Sequence, residues 1–244
     1  MAFLMFSLVL ASIVSTAAAA GAITLNPTTQ GLEASVTVDG TGFGANQAVG
    51  IGFGAEVNVI NGTMDVVGPF DTGTGPYTSS MSHVPMKPGT FRLSKNITSS
   101  LWSVDADLGN GTLNSTTPVF VNGTINYVTG QWTLYTSTPI PSSMHFMHLI
   151  NYTYYQYNVT PAAGVTTGGS GAFTASITVP IVADGSYTVT VVDTQGNVAT
   201  SPLVVDHIIP EGLTVGVMVL LSAIAVIVGT LYFRKPKIKS YSPV

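Results

Sequence analysis

The side chains best suited to chemistry in this sequence are asparagines. Asn-x-Ser/Thr triplets begin at Asn61, Asn96, Asn110, Asn114, Asn122, Asn151 and Asn158, seven of the chain's twelve asparagines. Serine and threonine fill 54 of 244 positions, so chance would place about 2.7 of twelve asparagines in this context. The excess marks these residues as acceptors of N-linked glycans, provided the chain is exported to a compartment with a glycosyltransferase. The plainer alternative is that Thr-rich strands generate such triplets by accident. Asn26 precedes proline, which excludes it, and all seven triplets begin between residues 61 and 158.

Other constellations carry less. Asp105, Asp107 and Asn110 place oxygen ligands in a Gly-containing stretch, as a Ca²⁺ loop does, but the later bidentate glutamate is missing and a polar turn is the favoured reading. His145 and His148 stand three apart in an alternating segment, which puts them on opposite faces of a strand and prevents a shared zinc ion. His83 and His207 belong to no pattern. No nucleophile elbow, zincin helix, phosphate loop or dinucleotide fingerprint occurs, and the chain has no cysteine. Lys87 and Lys95, the only lysines before residue 212, are read as surface residues rather than partners in an isopeptide crosslink. The expectation is therefore no catalytic residue, no metal and no cofactor.

Composition narrows the setting. Only 7% of residues are charged, against roughly 25% in soluble domains. Four of seven basic residues (Arg234, Lys235, Lys237, Lys239) cluster at the end, leaving three against eleven acids before them. A segment that acidic is a poor partner for nucleic acid. Attached sugars would supply the hydration that charge supplies elsewhere.

The two ends are apolar. Residues 1–20 end in Ala18-Ala19-Ala20 and read as a signal peptide, although no basic residue precedes the apolar run, so retention as a second membrane segment stays open. Residues 213–233 hold 21 uncharged positions, about 31 Å of helix, which matches the hydrocarbon thickness of a bilayer. Glu211 flanks this expected transmembrane helix on one side and Arg234 and Lys235 on the other. The positive-inside rule makes residues 234–244 a cytoplasmic tail and the preceding region extracellular.

Between the ends, polar and apolar residues alternate. Val36 and Val38, then Val49, Ile51 and Phe53, then Phe173, Ala175, Ile177 and Val179, then Tyr187, Val189 and Val191 recur with period two, and turn residues separate the runs. The expected fold class is all-β, a β-sandwich built from residues 22–60 and 159–206 and interrupted by an inserted β-domain at 61–158. Tandem domains are the alternative. The insert carries its own hairpin, with Ile125 and Tyr127 facing Trp132 and Leu134 across Thr129-Gly130.

Residues 22–54, with their Asn-Pro turn and Gly-x-Gly-Phe, resemble the opening of an immunoglobulin-like domain of the IPT/TIG type, and residues 168–205 resemble its closing half. Pro85 to Thr90 and the Gly123–Gly130 hairpin resemble β-domains of surface and phage-tail proteins. Ile209-Pro210-Glu211 before an apolar helix and basic cluster resembles the PEF-type sorting tail of archaeal surface proteins, with Gly212 where that motif has Phe. These resemblances imply an archaeal cell-surface glycoprotein, anchored in the lipid bilayer and non-catalytic, whose partners are other surface proteins or polysaccharide. The alternatives are an adhesin or solute-binding ectodomain using Tyr152, Tyr154, Tyr155 and Tyr157 and, least favoured, an anchored hydrolase.

Overall fold

The computed structural model describes residues 21–97, 100–104, 106–114, 120–142, 148–206 and 211–233. Residues 1–20, His145, His207, Asp105 and the basic tail with Arg234 and Lys235 lie outside it, as do the side chains of Lys95, Asn96, His148 and Glu211. The described residues are mostly β-strand, with one helix.

Three sheets are present among them. The first has three strands, β1 (Ala22–Asn26), β3 (Ser35–Thr41) and β14 (Phe173–Thr178), in the order β1-β3-β14. The second has eight: β2 (Thr29–Gln30), β16 (Val198–Val205), β15 (Gly185–Asp193), β4 (Ala48–Met64), β12 (His148–Asn158), β6 (Arg92–Ile97) and β7 (Ser100–Val104) in that order, with β13 (Val165–Thr166) also on β4. The third has five, β5 (Tyr77–Ser80), β11 (Gln131–Thr136), β10 (Phe120–Ile125), β9 (Thr112–Asn114) and β8 (Ala106–Asp107).

Alternation produces these strands and sorts their side chains. Val36 and Val38 of β3 and Phe173, Ala175 and Ile177 of β14 point inward to meet Val49, Ile51, Phe53, Val189, Val191 and Leu203 of the large sheet in one core. Their neighbours Ser35, Asp39, Thr174 and Ser176 are exposed. A second core joins Tyr77, Leu113, Ile125, Trp132 and Leu134 of the five-stranded sheet to Leu93, Ile150 and Tyr152 of the large one. The first core draws on residues before 54 and after 156, and the second on 59–154 plus Val192. The division expected at residue 60 falls inside β4, which runs unbroken from Ala48 to Met64, so the joint is a shared sheet instead of a linker.

β15 departs from simple alternation. Its last five residues, Val189 to Asp193, are all buried because Val189 and Val191 enter the first core while Val192 enters the second from the opposite face. A strand covered on both sides has no polar face to display. Residues 49–54 of β4 solve the same problem with glycine. Val49, Ile51 and Phe53 face the first core, and a Cβ on Gly50 would lie 2.8 Å from Pro85 or, on Gly52, 2.4 Å from Tyr155. Beyond Phe53 the β4–β12 register shifts twice, near Gly54 (φ 93°) and near Asn61 (φ 53°), and these bulges let β4 turn from one core to the other.

The hairpin forms with Ile125 opposite Trp132, but Leu134 pairs with Gly123 and Tyr127 is not in the strand. Asn126 ends β10: its Oδ1 accepts from the N–H groups of Val128 and Thr129, and its carbonyl accepts from Gly130, closing a turn that holds Tyr127. The β15–β16 turn touches this region, since a Cβ on Gly196 (φ 83°) would sit 1.9 Å from the Gly109 carbonyl oxygen.

The helix α1 covers Glu211–Phe233, 23 residues or about 34 Å. Its described side chains are those of 216–232, about 26 Å, and on those residues alone no helix is long and apolar enough to cross a membrane. Val217, Leu220, Leu221, Ile227 and Leu231 are each at least half exposed.

Gly196→Ala forces a side chain onto a carbonyl oxygen at a left-handed φ, and Gly52→Ala pushes on Tyr155. Each is expected to cost about 1–3 kcal/mol or more of stability, read by urea unfolding, whereas Gly169→Ala, with open space around it, stays within about 0.5 kcal/mol.

Candidate functional site

The asparagines of the Asn-x-Ser/Thr triplets are spread from β4 to β12. Asn61 sits at the β4 bulge, Asn110 precedes β9 and Asn114 ends it, Asn122 is in β10, and Asn151 and Asn158 are in β12. Asn61, Asn110, Asn114, Asn122 and Asn158 are exposed and Asn151 is half-buried. Two triplets fold into closed turns. Asn110 Oδ1 accepts from the Thr112 N–H (3.1 Å) and hydroxyl (2.5 Å), and Asn158 Oδ1 accepts from the Thr160 N–H (3.0 Å). The oxygen is engaged within the triplet, which leaves the amide nitrogen, the atom a glycan would join, as the outward end. Asn61 and Asn151 meet across β4 and β12, the Asn61 N–H donating to Asn151 Oδ1 at 2.7 Å.

Asp107 is buried and its carboxylate is taken up by protein donors: the Tyr127 hydroxyl at 2.5 Å, the Gly109 N–H at 3.0 Å and the Phe91 N–H at 3.2 Å. Tyr127 accepts in turn from the Gly111 N–H at 3.1 Å. Burial, and then the hydrogen bond to Asp107, raise the Tyr127 phenol above its ordinary range. This carboxylate ties the 107–111 loop to the 126–130 turn. No group of three or more His, Asp or Glu that could hold a metal ion occurs among the described residues.

Asp193 does the same for the other core, and nothing in its sequence context announces it. Fully buried, it accepts from the N–H groups of Gly44, Gln195 and Asn197 and from the Asn197 amide. The link to Gly44 across the sandwich joins residues 149 positions apart, beyond the reach of any local pattern.

The four tyrosines of β12 do not make one platform. Tyr152 is buried in the second core, with its hydroxyl 3.1 Å from His83 Nδ1, and Tyr154 stacks on the His83 ring at 4.4 Å. Tyr157 packs against Phe53. Tyr155 faces the other way, into a groove rimmed by Glu56 and Lys87, whose ammonium donates to both carboxylate oxygens at 2.8 Å. Burial, and then the nearby Glu56 charge, push the Tyr155 phenol up to about 12.

Tyr127→Phe leaves Asp107 one donor short and the Gly111 N–H without its acceptor. The expected loss is about 1–3 kcal/mol, measured by urea unfolding. The raised Tyr155 phenol sets a pH window: above pH 10 an unfolded chain releases this proton while the folded one keeps it to about 12. Unfolding free energy therefore falls as pH rises from 10 to 12, and denaturation midpoints across that window should fall less steeply for Tyr155→Phe than for the wild type.

Comparison of the chain with protein-family models, with curated proteins and with solved structures finds no match.

Proposed function

We propose that this protein is a membrane-anchored, N-glycosylated surface protein whose work is architectural and non-catalytic: a helix fixes the base and two fused β-sandwiches, the first of immunoglobulin-like type, carry sugar chains away from it. The observation that carries this reading is the helix. Apolar side chains surround it, from Val217 through Met218, Val219, Leu220 and Leu221 within little more than one turn, and all are at least half exposed. An all-apolar circumference needs an apolar surrounding. Ser222 donates to the Met218 carbonyl and Thr230 to that of Val226, the internal satisfaction that hydrocarbon requires. The full run of residues 213–233 is long enough to span, and the basic residues that follow favour a cytoplasmic end.

Glycosylation is supported by the number of triplets, by the five exposed acceptors and by the low charge of the chain. Sugars on those asparagines would hydrate a surface otherwise rich in threonine and serine.

Two measurements test the reading. Protease added to intact cells should remove nearly all of the chain, and the protein should stay with membranes after alkaline wash but leave them when residues 207–244 are deleted. Intact mass should exceed the polypeptide mass and fall stepwise as Asn61, Asn110, Asn114, Asn122 and Asn158 are changed to Gln. Complete protection from external protease would overturn the surface placement, and an intact mass equal to the bare chain would overturn the glycan role.

A further inference from the structure

We propose that the groove where β4, β12, β15 and β16 meet residues 87, 88 and 109 is a binding site for a neutral saccharide. The cavity is about 530 Å³, within the roughly 300–1,000 Å³ of small-molecule sites. Its floor includes Tyr155 and Thr190, only 4% and 3% exposed. Among the described residues neither hydroxyl has a hydrogen-bond partner, and neither is closed off from solvent. Among the described residues the Trp132 indole nitrogen is the one side-chain atom that is both closed off and unpaired. The two hydroxyls therefore open into the groove, each able to donate and accept.

The rim decides what class of ligand fits. Glu56 and Lys87 are paired with each other, so the site carries no net charge and favours neither anions nor cations. Together they still offer acceptors and donors to adjacent hydroxyls of a sugar ring. Pro88, Val198 and the Tyr155 ring give apolar contact for its C–H face.

The inference does not depend on membrane anchorage, and a chain that fails the protease test could still bind sugar. The full chain, made without N-glycosylation and held in detergent micelles, would be titrated calorimetrically with cellotriose, mannotriose and chitotriose. At least one should bind saturably, Tyr155→Phe and Glu56→Gln should each weaken it about 3- to 10-fold, and Tyr157→Phe should leave it unchanged. If Tyr155→Phe does not fold, Glu56→Gln on the exposed rim decides alone. No saturable binding of any of the three at millimolar concentration, or binding that Glu56→Gln does not weaken, overturns the proposal. The glycosylated chain separates two sources of sugar, since Asn110 adjoins Gly109 at the groove: binding restored only by Asn110→Gln identifies the chain's own glycan as occupant, and binding without that change identifies an external one.

Discussion

β4 can be packed on both faces because residues 49–54 alternate a large apolar side chain with no side chain at all. Val49, Ile51 and Phe53 fill the first core, and the bare backbone of Gly50 and Gly52 behind them is where Pro85 and Tyr155 sit. A sheet with ordinary side chains on that face would hold the second unit away and leave both interiors open. The close approach of Gly196 to Gly109 repeats the device at the next turn, so glycine at three places replaces the linker that two domains would otherwise need.

This arrangement explains where the interior needs polar groups. The two loops pressed together at Gly109 and Gly196 are short and turn several backbone N–H groups inward. Asp107 and Asp193 sit under them: Asp107 accepts from Gly109 of its own loop and from the distant Phe91 and Tyr127, and Asp193 from Gln195 and Asn197 of its own loop and from the distant Gly44. A carboxylate supplies more acceptor sites than a carbonyl, which suits an acid to this place even though its charge has no cationic partner.

Much of the strand content was legible because alternation is a local property. Ser35 to Thr41 and Phe173 to Thr178 show it without exception in their burial. What the sequence concealed is non-local. The burial of Thr190 and Val192 depends on a second unit lying against β15, and no pattern within that strand reveals it. Tyr127 reads as a strand residue by spacing, and the Asn126 turn overrides the spacing. Of the candidate site, the Asn-x-Ser/Thr triplets follow from a three-residue rule and needed no fold, while the Tyr155 groove exists only where four strands and two loops converge.

Among the described residues a single ion pair, Lys87 with Glu56, holds opposite charges together, and the buried acids Asp107 and Asp193 are held by hydrogen bonds from uncharged groups. Dissolved ions weaken attraction between exposed charges and scarcely touch a carboxylate ringed by amides or an apolar interior. Most of what holds the fold together is thus of a kind that dissolved salt screens little.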